Sequence, residues 1–203
     1  MSSPPPTRLP ALLCTGNAHK VVELDALLPH LELRALPAGT QLPPETAVTF
    51  AGNARIKALA GRDVAPDLWV VADDSGLAVD ALDGAPGVWS ARFAGEDATD
   101  GDNVDLLLDR LRHITEPHQR SARFVCVLVA IAPDGTELVA EGTVEGHIAH
   151  GPAGDGGFGY DPVFVPRGHA SSFAALSADI KAGISHRANA ARALTHQLQE
   201  HHA

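Results

Sequence analysis

The chain has 203 residues, enough for one sizeable domain or for one core with a smaller second lobe. Acidic residues outnumber basic ones by 25 to 15, and the net charge of -10 argues against nonspecific binding to DNA or RNA, though not against a small phosphate ligand. No apolar run approaches the roughly 18 residues of a membrane span, and the opening MSSPPPTRLP lacks the apolar core of a secretory signal.

Residues 1–10, with three consecutive prolines, read as a disordered tail, and 11–203 as a single domain. ALLCTG (11–16) reads as a short strand ending in a glycine turn. The helical spacing of Val21, Leu24, Leu27 and Leu28 predicts a helix after it, which Pro29 ends. LELRAL (31–36) alternates as a half-buried strand does. A loop follows, then a helix over 49–62 with Phe50, Ile56 and Leu59 turned inward. DLWVVADD is the next strand, and Ser75 and Gly76 are expected to turn the chain after it. The stretch from Leu77 to Gly95 is rich in turn residues and reads as irregular. Thr99 and Asp102 form a capping pattern that opens a helix over 103–114. Two long strands, 121–133 and 136–149, are joined by Asp-Gly, a hairpin signal. A glycine-rich segment (150–164) leads to a mostly helical tail (177–201) broken near Gly183. The order is that of an α/β chain with a mixed sheet, because the hairpin makes at least one pair antiparallel.

Cys14 and Cys126 each sit inside an apolar run and lack a partner at metal-site spacing, so both read as small core residues in a reducing, cytoplasmic setting. The chemistry is expected elsewhere. TGNAHK (15–20) feeds a glycine turn into a helix start, whose backbone N–H groups suit an anion, and Lys20 adds a positive charge. It is not the G-x-x-x-x-G-K-[ST] phosphate loop. Asn53 and Lys57 share one helical face, with Glu45 where the preceding loop meets that helix; a solvated, capped helix would look the same. Asp73 and Asp74 place two carboxylates at the expected end of a strand, where α/β sheets bind ligands. One should face the ligand while the other braces it or holds a helix, and a hard cation would relieve their repulsion. An acidic turn remains the plain alternative.

GDGGFGYDP (154–162) sets Phe158 and Tyr160 in a glycine loop beside Asp161. An aromatic ring there can stack on a base, or it can anchor the loop to the core. Lys181, His186 and Arg187 cluster around the break in the tail, with Ser185 as a helix cap. Cations in a first helical turn oppose the helix dipole, which hints at a ligand role. No H-E-x-x-H, no Cys/His zinc spacing and no G-x-S-x-G elbow is present, nor an Asp-x-Asp nucleophile after the first strand.

TGNAHK, ETAVTFAGNARIKA, ADDSGLAVDALDGAPGVWSARFAG, GFGYDPVF and ISHRANA occur in this order in the chain. In these motifs the sequence resembles the inosine/xanthosine triphosphate pyrophosphatases, from about Leu12 to Leu194. The resemblance implies an elongated mixed β-sheet flanked by helices, two lobes around a central substrate cleft, and a homodimer. It implies Mg2+-dependent cleavage of ITP, dITP and XTP to the monophosphate and pyrophosphate. By motif match, Thr15, Gly16, Asn17, Ala18, His19 and Lys20 would hold the triphosphate, with Ser75 on the phosphates and Asn53 among the substrate contacts. Asp74 would be the catalytic acid/base and a metal ligand, with Glu45 beside it on the metal, Lys57 at the same centre and Asp73 in support. Phe158, Gly159, Tyr160, Asp161, Lys181, His186 and Arg187 would form the base pocket. Relatives often carry an acid at the position of Gly52 and a tryptophan at that of Tyr160, so any metal contact from position 52 is absent here.

Overall fold

Six strands form one sheet: β1 (Leu9–Cys14), β2 (Leu31–Ala35), β3 (Trp69–Val79), β4 (Ser121–Ile131), β5 (Glu137–Ile148) and β6 (Phe164–Pro166), in the order β2-β1-β3-β4-β5-β6. β1 runs parallel to both β2 and β3, whereas β5 and β6 are antiparallel, so the sheet is mixed as expected. The helices are α1 (Ala18–Leu27), α2 (Phe50–Val64), α3 (Asp100–Arg110), α4 (Ala178–Ile184) and α5 (His186–His201). These come from a computed structural model that describes residues 8–201. The expected disordered start falls largely on residues 1–7, outside the described residues. Arg8 is placed with its guanidinium on the Leu31 carbonyl, and the first strand opens at Leu9, two residues earlier than the sequence suggested.

The largest departure from the sequence reading is β3. Ser75 and Gly76 do not turn the chain; the strand runs on to Val79, so Asp73 and Asp74 lie in its middle. The chain forms two compact units, 1–74 with 126–142 and 187–203, and 75–125 with 143–186.

In the first unit, Ala11, Leu13, Val71 and Leu128 of the strands pack with Leu24 and Leu28 near α1 and with Ala190 and Leu194 of α5. Strand side chains alternate between faces, and the intervening residues Leu12, Cys14 and Val70 meet α2. That helix approaches through its smallest residues. A Cβ built on Gly61 would lie 2.2 Å from Cys14 Sγ and 2.6 Å from Val70 Cγ1, so only glycine permits this spacing. The buried stripe of α2 is Asn53, Ala54, Lys57, Ala58 and Gly61, whereas Phe50 and Ile56 are half-buried and Leu59 is 53% exposed. The sequence reading chose the wrong face, because apolar periodicity is blind to a helix that docks by small residues and carries two polar ones inward. Cys14 and Cys126 are buried, and burial pushes both thiols up to about 12.

In the second unit, Leu77 and Val79 pack with Val104 and Leu107 of α3, and Phe124 lies among Phe164, Phe173 and Tyr160. The stretch expected to be irregular contains two short 3₁₀ turns, Asp80–Leu82 and Gly87–Arg92, after the end of β3. Thr99 and Asp102 form the expected capping box at α3, although the helix starts earlier, at Asp100. The break in the helical tail falls at the extended Ser185, two residues after Gly183 and close to where the sequence reading expects it. Arg120 is fully buried, with no carboxylate paired to it among the described residues. It donates to the carbonyls of Leu111 (2.8 Å), Ile114 (3.0 Å), Ile148 (2.7 Å) and Ala149 (2.8 Å), tying the end of α3 to the end of β5. Burial lowers its pKa.

Candidate functional site

Mid-strand placement separates the two aspartates. Successive side chains leave a strand on opposite faces, so Asp73 points with Val71 toward the α1 side and Asp74 with Val70 toward α2. Lys20, in the first turn of α1, places Nζ 2.8 Å from Asp73 Oδ2. Asp73 therefore braces a helix, one of the two roles expected of the pair. On the other face, Asp74 Oδ2 accepts from Asn53 Nδ2 at 3.2 Å, and Asp74 Oδ1 lies 3.7 Å from Lys57 Nζ.

Glu45 is brought to the same point by the loop before α2. Its Oε1 forms an ion pair with Lys57 Nζ, so one buried ammonium is shared by Glu45 and Asp74. Asn53 makes this possible. Its Oδ1 accepts from the Ala47 backbone N–H at 2.8 Å, pinning the loop, while its amide nitrogen reaches Asp74. Thr49 caps α2 by accepting from Gly52 N. A Cβ on Gly52 would stand 2.5 Å from Ala47 Cβ, so the loop packs directly against the helix at this glycine. Asn53 and Lys57 thus occupy a buried face, not a solvated one.

The electrostatics follow from this geometry. Burial pushes the Asp74 carboxyl up to about 6; the ammonium of Lys57 opposes the rise, and the charge of Glu45 adds to it. Burial also works against ionised Asp73, but the charges of Lys20, Arg187 and Lys57 together hold it below its usual range. Burial works against charged Lys57 as well, yet Asp73, Asp74 and Glu45 outweigh it and raise its pKa. Two adjacent carboxyls are therefore split: Asp73 stays ionised as a fixed counter-charge, while Asp74 is poised to exchange a proton near neutrality. The buried Asp73 Oδ1 accepts no hydrogen bond among the described residues.

Thr15 and Gly16 lie between β1 and α1. Thr15 Oγ1 accepts from Asn17 N at 3.2 Å, and Asn17 Oδ1 from Lys20 N at 3.4 Å. The backbone of Ala18 and His19 forms the first turn of α1; their side chains lie outside the described residues. Gly16 is exposed, with open space where a Cβ would be. Arg187, at the start of α5, donates to Glu23 Oε2 of α1 at 2.8 Å. Sequence reading missed Glu23; it stands one turn beyond Lys20, a spacing that sets both on one face of α1.

The remaining predicted residues fall in the second unit. Ser75 is half-buried in β3. Asp161 Oδ2 accepts from Phe158 N at 2.9 Å and from Lys181 Nζ at 2.5 Å. Lys181 Nζ stands 5.3 Å from the centroid of the Phe158 ring, within cation–π range. Tyr160 is buried, and its hydroxyl donates to Ser90 O at 2.8 Å; of the two roles open to the loop aromatics, it takes the anchoring one. Phe158 is the partly exposed ring. His186 is buried and stacks on Phe124 with centroids 4.8 Å apart. Gly159 N donates to Asp100 Oδ2 at 2.7 Å, a contact with no sequence signal beyond the neighbouring cap at Thr99.

Comparison with known proteins bears on the family and the fold. The sequence pattern of the Ham1 family matches residues 11–197. The dITP/XTP pyrophosphatase of Streptomyces coelicolor is 48% identical over 96% of this chain and 98% of its own length. The protein of the same name from Shigella flexneri is 46% identical over 93% and 97%. Among solved structures, the Staphylococcus aureus Ham1 protein superposes with a TM-score of 0.84 at 37% identity, covering 95% of this chain and 99% of that one.

Proposed function

The chain belongs to the Ham1 family, and from that premise we propose that it hydrolyses purine nucleoside triphosphates bearing hypoxanthine or xanthine (ITP, dITP and XTP) to the monophosphate and pyrophosphate. The names of its relatives, dITP/XTP pyrophosphatase, support the substrate class. The observation that carries the chemistry is the convergence of Glu45 and Asp74 on the ammonium of Lys57.

That donor set fits a magnesium ion. Mg2+ is bound by one or two carboxylates and completes its shell with water and substrate phosphates. Glu45 and Asp74 supply the carboxylates; burial is the main cause of the raised Asp74 pKa, and the smaller part due to the charge of Glu45 is repulsion that such a cation would relieve. No group of three or more His, Cys, Asp or Glu side chains suited to a metal occurs among the described residues, so the ion would depend on the substrate for further ligands. When bound, Mg2+ supplies neutralisation of charge on the phosphate oxygens.

The chain's own residues do the rest. Asp74 accepts the proton of the water that attacks the α-phosphorus, and the electron pair of the broken P–O bond leaves with pyrophosphate. Lys20 and Lys57 offset the negative charge that builds on the phosphate oxygens, and the Thr15–Lys20 turn offers backbone N–H groups to the triphosphate. Asn53 orients Asp74, and Asp73 fixes Lys20. Phe158, Lys181 and His186 of the second unit serve the base. Hypoxanthine and xanthine present a carbonyl at C6 where adenine has an amine. Lys181 is a donor only, so it pairs with the carbonyl and loses that partner against the amine. Such a loss, at about 1–3 kcal/mol, gives on the order of tenfold to a hundredfold discrimination.

The homodimer is proposed with the activity, on the family resemblance, and the cytoplasmic setting on the two buried, unpaired cysteines. No helix among the described residues is long and apolar enough to cross a membrane. The deciding experiment measures pyrophosphate release from ITP and ATP side by side, with and without Mg2+. ITP turnover that needs the metal and far exceeds ATP turnover is expected; equal turnover of the two nucleotides would overturn the reading.

A further inference from the structure

We propose that Asp100 is a positioning residue for base recognition: its carboxylate, presented at the start of α3, holds the Gly159 amide and thereby fixes the Phe158 ring beside Lys181. The inference rests on the functional reading above and adds to it a residue outside the five sequence motifs.

Three observations carry it. First, Asp100 sits on a rigid support. Thr99 and Asp102 close a reciprocal cap, with Thr99 N donating to Asp102 Oδ2 at 2.8 Å and Asp102 N to Thr99 Oγ1 at 3.2 Å. One residue further, buried Asn103 ties the helix to the preceding turn, accepting from Ala94 N at 2.8 Å and donating to Ala91 O at 3.1 Å. Second, the loop it grips has a backbone that needs outside help. Gly157 and Gly159 both lie at positive φ, +76° and +61°, and the 2.7 Å bond from Gly159 N to Asp100 Oδ2 reaches across 59 residues of sequence. The adjacent Phe158 N donates to Asp161 Oδ2 instead, so consecutive amides on either side of the Phe158 carbonyl are held by two different carboxylates. Third, the ring so positioned is the partly exposed aromatic of the loop, with the Lys181 ammonium 5.3 Å from its centroid. Tyr160 anchors the far side of the same loop on Ser90 O at 2.8 Å. Releasing Asp100 frees the Phe158 side while the Tyr160 anchor stays.

The test uses Asp100→Ala and Asp100→Asn. Asparagine keeps an acceptor oxygen, so it should rescue most of what alanine loses. Asp100→Ala should raise KM for ITP about tenfold, the equivalent of one charge-assisted hydrogen bond, with kcat within about twofold. Inhibition by inorganic tripolyphosphate, which has no base, should be unchanged. Hydrogen exchange of the Gly159 amide, measured without nucleotide, should quicken in Asp100→Ala. An unchanged KM and an unchanged exchange rate would overturn the proposal, as would a loss confined to kcat or shared equally with tripolyphosphate. If the unaltered protein releases no pyrophosphate from ITP, the functional reading fails on that ground, and the Gly159 exchange rate still decides whether Asp100 holds the loop.

Discussion

Asp74→Asn separates what the carboxylate does for catalysis from what it does to the fold. Folding raises this carboxyl from its ordinary 3.8 to about 6. An acid raised in this direction favours the folded chain when protonated. Its contribution is whole below the unfolded pKa and is lost as pH climbs through the folded one. At about 1.36 kcal/mol per tenfold change in proton affinity, the metal-free protein gives up about 3 kcal/mol by pH 8 and about half of that by pH 5. Asparagine cannot ionise and retains an oxygen for the Asn53 amide. The variant should therefore unfold about 3 kcal/mol later than the parent in urea at pH 8 with chelator present, and the gap should shrink toward pH 5. For a chain of this length that is roughly 6–12 °C in Tm. The same variant should lose pyrophosphate release at least a hundredfold, the low end for a missing general base. A variant that is less stable at pH 8, or a gap that ignores pH, would refute the burial argument.

Three other outcomes test the rest of the structure. Gly61→Ala forces a methyl group into Cys14 Sγ and Val70 Cγ1, and it should cost about 1–3 kcal/mol in urea unfolding; unchanged stability would mean that α2 lifts freely. Arg120→Met strips the donors from four carbonyls in the second unit and should destabilise by several kcal/mol, with Arg120→Lys recovering only part because its donors are fewer and differently arranged. Lys57→Met leaves Glu45 and Asp74 without their shared ammonium, and pyrophosphate release should fall at least a hundredfold; turnover near that of the parent would remove Lys57 from the chemistry.

Local signals carried much of the architecture. The Asp-Gly pair announced the turn between β4 and β5, and Thr99 with Asp102 announced the cap of α3, because both devices are closed within a few residues. The failures share a different cause. Two acids followed by Ser-Gly look like a turn, yet β3 runs through them because Lys20 and Lys57, from distant helices, neutralise one aspartate on each face. Leu59 looked buried because periodicity weighs apolarity, whereas α2 docks by fit, and fit belongs to the partner strands. The same limit applies at the candidate site. Motif order pointed to Glu45, Lys57 and Asp74, but Glu23, Asp100 and Arg120 act through partners 59 residues away or more, or through main-chain carbonyls, and neither leaves a mark in sequence spacing.

The two cysteines give the first unit a built-in reporter. Both thiols stay protonated at physiological pH, and both lie inside the packing of β1 and β4. A sulfhydryl reagent can modify them only in molecules whose interior has come apart, since reaction needs both access and the thiolate. The rate at which such a reagent is consumed thus counts excursions from the native state, and it does so on the unaltered chain, without an added dye or a substituted residue.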